Sequence, residues 1–311
     1  MPEVAKIISG VSHGDPRSIG RAISIVENHE PAAHAILASL DPEKIEACLV
    51  VGITGPPGAG KSTLTSQLIK EYRRLKKRIG VVAVDPSSPL SGGALLGDRV
   101  RMMGHALDKD VVVRSMATRG RLGGVCGSAG AAVRIMAQSG CEVVLIETVG
   151  VGQSEMDIVR MADLTAMVLA PGLGDDIQAM KAGLLEVADI LVINKSDLRG
   201  ADALVLDMES VARQRQERLG RATKVCSTIA SQGEGVAALI QRVNEVHKVF
   251  EENGEISQRR LQARRYEVID WAVELIRPQI EACINKDEEF HGDPMLLAKD
   301  LLAGLGIRSN N

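Results

Sequence analysis

Three short stretches carry the side chains whose types and spacing could do chemistry. The first, GPPGAGKS at residues 55–62, matches G-x-x-x-x-G-K-[ST] in full. Gly55, Gly58 and Gly60 let backbone N–H groups turn towards an anion with no Cβ in the way. Lys61 would reach the β- and γ-phosphates of a nucleotide, and Ser62 would give its hydroxyl to Mg²⁺. A helix dipole behind them favours the anion. Pro56, Pro57, Ala59 and Thr63 complete the nucleotide-binding set. The second stretch, EVVLIETVG at 142–150, ends an apolar run in Glu147 and places Gly150 three residues later. The third is NKSD at 194–197. Asp197 can accept two hydrogen bonds from guanine, the N1–H and the exocyclic amine, which adenine does not offer together. Asn194 can bind the opposite base edge and brace the loop. The aliphatic stem of Lys195 can cover the base face.

These side chains need a scaffold that brings strand ends together. Apolar runs recur as CLVVGIT, IGVVAVD, DVVVRSM, EVVLIET, LTAMVLA, DILVINK and ATKVCST, separated by glycine-rich loops and helical segments. Continuous rather than alternating hydrophobicity predicts a mostly parallel sheet buried on both faces, an α/β fold flanked by helices. GPPGAGKS follows the first strand and precedes the helical STLTSQLIKEYRRL, and NKSD sits at the end of another strand. Residues 17–40 have helical spacing, with Pro31 dividing them into two short helices. Residues 235–252 and 256–277 read as helices, and Pro278 is expected to kink or end the second. Leu297, Leu301 and Leu305 share one face of a last helix. The expected organisation is a helical N-terminal extension over 1–44, a nucleotide-binding domain over 45–245 and a helical C-terminal region over 246–311.

Composition narrows the function. A net charge of −3 gives no reason to expect nucleic acid or a membrane surface as partner. Between residues 45 and 245 the sole aromatic is Tyr72, which leaves little for base stacking. Cys48, Cys126, Cys141, Cys226 and Cys283 are scattered, without metal-ligand spacing, and read as free thiols of a reducing cytoplasm. No apolar run approaches the roughly 20 residues that span a bilayer, and the N-terminus lacks a secretory pattern.

Further segments sharpen the reading: VDPSSPLSGGALLGD at 84–98, RSMATRGRLGGV at 114–125 and APGLGDDIQAMKAG at 170–183. In order with GPPGAGKS, ETVGVGQSE and NKSD, they resemble the MeaB/ArgK/MMAA family of P-loop GTPases. Those are G-protein chaperones of cobalamin-dependent acyl-CoA mutases such as methylmalonyl-CoA mutase. The match in motif detail covers roughly residues 45–235. The resemblance implies that Asp85 and Asp98 lie near the metal and the first switch, that Glu147 is the metal-linked glutamate, and that Gly150 senses the γ-phosphate. It implies that Lys181 belongs to a mobile loop that assists hydrolysis when the partner is engaged. Lys61, Asp85 and Lys181 form the expected catalytic set. The resemblance further implies slow GTP hydrolysis by the isolated chain and activation by the mutase. The adenosyltransferase that supplies the cofactor is a further expected partner, and the C-terminal helices, around Val268, Trp271, Leu275 and Ile276, are expected to build a homodimer. No D-x-H-x-x-G is present, so no direct cobalamin site is expected.

Gln153 lies three residues after Gly150 and is left out of the catalytic set. Arg119 and Arg121 could reach phosphate or partner, or be merely solvated. Two other classes stay in view. A nickel-insertion GTPase would want a histidine-rich tract, but the six histidines are scattered. A kinase acting on a transport system would want an acceptor subsite and would leave NKSD unexplained.

Overall fold

A computed structural model describes residues 2–85, 103–105, 107–117, 127–148, 154–173, 187–220, 223–284 and 293–306. All seven predicted strands form: β1 (Leu49–Thr54), β2 (Ile79–Asp85), β3 (Val111–Ala117), β4 (Val143–Thr148), β5 (Leu164–Leu169), β6 (Ile190–Ile193) and β7 (Lys224–Ser227). They make one sheet in the order β3-β2-β4-β1-β5-β6-β7, every pair parallel. β1, β4, β5 and β6 are buried throughout, which is why their sequences are apolar at consecutive rather than alternate positions.

Helix α5 (Lys61–Arg74) packs Leu64, Leu68, Ile69 and Tyr72 on one sheet face, beside Leu239, Ile240 and Val243 of α9 (Val236–Glu252). The other face is covered by α6 (Gly127–Gln138), α7 (Ser154–Met161) and α8 (Ala201–Leu219). Because a parallel sheet aligns its strands, the C-terminal ends of β1, β4 and β6 open on one edge. That edge carries GPPGAGKS, ETVG and NKSD.

The N-terminal helices are α1 (Pro2–Ser12), α2 (Pro16–Glu27), α3 (Ala33–Ala38) and α4 (Pro42–Ala47), so Pro31 does fall between two of them. Helical periodicity pointed to α2 and α3 alone. The flanking pair is set by caps: Asp41 accepts from the Glu43 N–H at 2.9 Å to start α4, and Pro2 and Pro42 open their helices. Polar contacts stitch this extension to the sheet domain. Gln138 accepts from the Asp41 N–H at 2.8 Å and donates to Ser12 Oγ at 3.0 Å. Arg78 donates to the Gly14 carbonyl at 2.7 Å, and Arg114 of β3 pairs with Glu27.

The chain divides into two compact units, residues 1–264 and 265–311, and α10 (Glu255–Cys283) belongs in part to each. Of the two outcomes expected at Pro278, a kink or an end, the helix does not end there: it runs through the proline to Cys283. A proline removes its own N–H and displaces the carbonyls of the preceding turn. Here the Gln279 amide donates to the Leu275 carbonyl at 3.2 Å, supplying a partner one turn back. In the second unit, α11 (Pro294–Gly304) is capped by Asp293, which accepts from the Met295 N–H at 2.8 Å.

Near α5, the short 3₁₀ turn Met103–His105 docks through a buried histidine: His105 Nε2 lies 2.9 Å from Ser66 Oγ. Burial first, and then the nearby Lys70, hold its pKa below the usual 6.5, against the opposing pull of Asp108. The unfolded chain therefore binds a proton there at a higher pH than the folded one. Stability is retained above about pH 6.5 and lost as pH falls below it. The thermal midpoint is expected to drop more steeply between about pH 7 and about pH 5 in the parent protein than in His105→Gln. Equal slopes would show that this histidine does not govern the acid limb.

Candidate nucleotide site

β1 runs straight into the glycine-rich loop, and two of its glycines are demanded by close approach. Gly55 has φ +138°, and a Cβ there would lie 2.1 Å from the Val168 carbonyl oxygen of β5. Gly60, the N-cap of α5, has φ +91°, and its Cβ would meet Asn194 Nδ2 at 2.4 Å. The loop is thus pinched between a neighbouring strand and the asparagine of NKSD. Lys61 is buried and folds back over the loop, donating to the carbonyls of Gly55 at 2.7 Å and Pro56 at 3.0 Å. Its ammonium is held where the loop gathers its backbone dipoles.

Ser62 and Glu147 are 85 residues apart in sequence and in direct contact: the serine hydroxyl donates to Glu147 Oε1 at 2.6 Å. Glu147 is 2% exposed and stands in register with Ile53 of β1 and Ala83 of β2. The strand end lies across from the N-terminus of α5, and the Glu147 carboxylate reaches the first turn of that helix. A hydroxyl and a carboxylate are both hard oxygen donors, the set that Mg²⁺ prefers. The residues present therefore fit such an ion. The backbone of Asp85 ends β2 one residue beyond the Val84–Thr148 pairing, so its strand closes beside that of Glu147. The Asp85 side chain, and the whole of Asp98, Gly150 and Lys181, lie outside the described residues.

NKSD forms the other half of the site. Asn194 is 2% exposed; it donates to the Ala59 carbonyl at 2.9 Å and accepts from Thr228 Oγ1 at 3.1 Å and the Ala230 N–H at 3.0 Å. Its bracing role takes both of its polar atoms, joining the phosphate loop, the β6 end and the β7 end. Lys195 adopts φ +55° and donates to the Gly58 carbonyl at 2.8 Å, which sets its stem along the opening. A cleft of about 230 Å³ lies between these parts, lined by Gly60, Thr63, Asn194, Lys195, Asp197 and Leu198, with Ala230 and Ser231 beyond. Thr63 therefore faces this cleft one residue beyond Ser62. Thr228, Ala230 and Ser231, in the loop after β7, were missed by sequence reasoning. The available signal was position: β7 pairs with β6, so the loop after it must open beside NKSD.

Cys48, Cys141, Cys226 and Cys283 are free thiols, and Cys126 lies outside the described residues. Among the described residues no helix is long and apolar enough to cross a membrane.

A seven-stranded parallel sheet, a complete phosphate loop and a cross-braced NKSD cleft on one edge define a P-loop GTPase. Comparison with known proteins carries this further. The chain belongs to the MeaB family, described as methylmalonyl-CoA mutase-associated GTPase, whose model matches residues 19–288. A protein of Pyrococcus horikoshii named a putative GTPase is 43% identical over 307 residues, covering 97% of this chain and 95% of that protein. The mouse mitochondrial methylmalonic aciduria type A homolog is 38% identical over 216 residues, covering 68% of this chain and 52% of that protein. A crystal structure described as a LAO/AO transport system kinase superposes with a TM-score of 0.67 at 24% identity, over 99% of this chain and 94% of that one. At that identity the likeness speaks for the fold alone.

Proposed function

We propose that this GTPase is a switch that gates cobalamin loading, protection or repair of an adenosylcobalamin-dependent acyl-CoA mutase of the methylmalonyl-CoA type. The observation that carries the reading is the Ser62–Glu147 contact, because it joins the phosphate loop directly to the strand that leads into ETVG. A change at the phosphates is then felt by the segment after Glu147. The family description, which names methylmalonyl-CoA mutase, supports the choice of partner.

Phosphoryl transfer asks for positioning and charge neutralisation more than covalent help. Lys61 leaves its two loop carbonyls to bind the β- and γ-phosphates, and Asp197 selects guanine. Ser62, Glu147, Asp85 and Asp98 are assigned to hold Mg²⁺, which when bound offsets phosphate charge. Gly150 contacts the γ-phosphate, and Lys181 adds a cation when the mutase engages. Val268, Ile269, Val273 and Leu275 of α10 are exposed, which supports a homodimer formed through this helix. The adenosyltransferase that supplies the cofactor is a second proposed partner, and the cofactor itself is assigned to the mutase.

The test is GTP turnover by the purified protein, with ATP as control, with and without a cobalamin-dependent acyl-CoA mutase from the same organism. A slow GTP rate raised strongly by the mutase is expected. A rate indifferent to every such mutase would remove the partner, and a preference for ATP would overturn the assignment of the base.

A further inference from the structure

We propose that Thr54 and Thr148 are positioning residues for a second arrangement of helix α7, in which the Asp157 carboxylate accepts both of their hydroxyls. The inference rests on reading the chain as a nucleotide-driven switch.

Side chains alternate between sheet faces. Leu49, Val51 and Ile53 of β1, and Val143 and Leu145 of β4, belong to the core beneath α5, and Glu147 reaches Ser62 on that side. Thr54 and Thr148 therefore point to the opposite face. They directly follow the paired residues Ile53 and Glu147, so they end neighbouring strands together. Both are 0% exposed, and among the described residues neither Oγ1 has a hydrogen-bond partner. A buried hydroxyl without a partner costs folding free energy, and valine has nearly the same shape without that cost.

The helix over this face is α7. A Cβ on Gly52 would lie 2.4 Å from Ile158 Cγ2 and 3.1 Å from Ala162 Cβ, so the helix rests on β1 with no layer between. Five residues separate the end of β4 from α7, which returns along the sheet to β5. Its first half thus lies towards the strand ends that carry the threonine pair. Among the described side chains of that half is Asp157, polar, 8% exposed and adjacent to Ile158. A carboxylate has about four acceptor sites, so it can take two hydroxyls and retain other contacts. Side chains from both strands that flank the phosphate loop would then report the position of the helix that follows ETVG. Thr165 Oγ1, also buried and without a partner among the described residues, lies towards the other end of α7, 3.5 Å from the Cβ position of Gly52, and serves as the reference.

The experiment measures binding of GDP and of a non-hydrolysable GTP analogue, with thermal midpoints, for parent, Thr54→Val/Thr148→Val, Thr54→Ser/Thr148→Ser, Asp157→Asn and Thr165→Val proteins. The valine pair is expected to raise the nucleotide-free midpoint yet weaken the analogue about tenfold relative to GDP, as a ligand with differential affinity requires. The serine pair and Thr165→Val should keep the parent ratio, and Asp157→Asn should lose it. A valine pair with the parent ratio, or with an unraised nucleotide-free midpoint, would overturn the inference while the GTPase reading stands. A parent protein that binds neither guanine nucleotide would instead overturn that reading. Should the valine pair fail to fold, Thr148→Val and Asp157→Asn decide the matter by the same ratio.

Discussion

Lys61→Met is expected to lower GTP turnover by at least about 10³-fold while leaving the fold intact. The ammonium lies inside the phosphate loop, 2.7 Å from the Gly55 carbonyl and 3.0 Å from that of Pro56. Charge on the transferring phosphoryl group must be met by cations already in place, in a site largely closed to water. Methionine fills the volume of the stem and removes only the charge. The loss should fall mainly on kcat, with a smaller rise in KM, because the cation matters most where charge develops. Arginine should not restore the rate, since a planar fork does not fit the pocket of a compact ammonium. The measurement is steady-state phosphate release beside a thermal melt. Turnover within about tenfold of the parent, with the melt unchanged, would exclude Lys61 from the catalytic set.

Arg260→Met is expected to destabilise the protein by about 3–5 kcal/mol, a fall in thermal midpoint on the order of 10 °C. Arg260 and its neighbour Arg259 fasten the start of α10 to the sheet edge opposite the nucleotide. Arg260 donates to both carboxylate oxygens of Asp163, at 2.7 Å each, and to the carbonyls of Glu46 at 2.6 Å and Cys48 at 2.8 Å. Arg259 grips Asp189 in the same bidentate manner, at 2.7 and 2.8 Å. Asp163 is 2% and Asp189 3% exposed, and each also accepts a strand N–H: Val50 for Asp163 and Thr165 for Asp189, at 2.9 and 2.8 Å. Burial opposes the charge on Arg260, but the hydrogen bonds and charge of Asp163 and Glu46 outweigh it and raise its pKa. Removing the arginine strands a buried carboxylate, which is the costly half of breaking such a pair. Asp163→Asn keeps an acceptor for the Val50 N–H and discharges the site, so Arg260→Met/Asp163→Asn should recover much of the loss. A double variant as unstable as the sum of the singles would show that the pair is not what holds α10.

The linear sequence held whatever depends on neighbours along the chain. GPPGAGKS is contiguous, so its turn, its lysine and its serine could be read without knowing what surrounds them. Strands β1, β4, β5 and β6 were legible because burial on both sheet faces demands apolar residues at every position, and the breaks between runs are rich in glycine. NKSD was legible as a guanine reader, although the same four letters do not say that Asn194 also braces Ala59, Thr228 and Ala230. Membership of the MeaB family followed from the order of such segments.

Tertiary structure alone decided which distant groups meet. Ser62 finds Glu147 only because β1 and β4 are adjacent in the sheet while lying far apart in sequence. The loop at Thr228–Ser231 joins the cleft only because β7 pairs with β6. Asp163 and Asp189 look like ordinary loop acids before strands, and Arg259 and Arg260 like ordinary charges on a helix. Their burial and pairing appear when the start of α10, up to Arg264, is laid against the sheet edge. Pro278 is read locally as a helix breaker, yet the side chain of Gln279 supplies a partner in the preceding turn and the helix continues. Local pattern determines which elements form and which residue types stand at their ends. The sheet order then determines which ends become a site, because hydrogen bonds and ion pairs depend on separation in space and not along the chain.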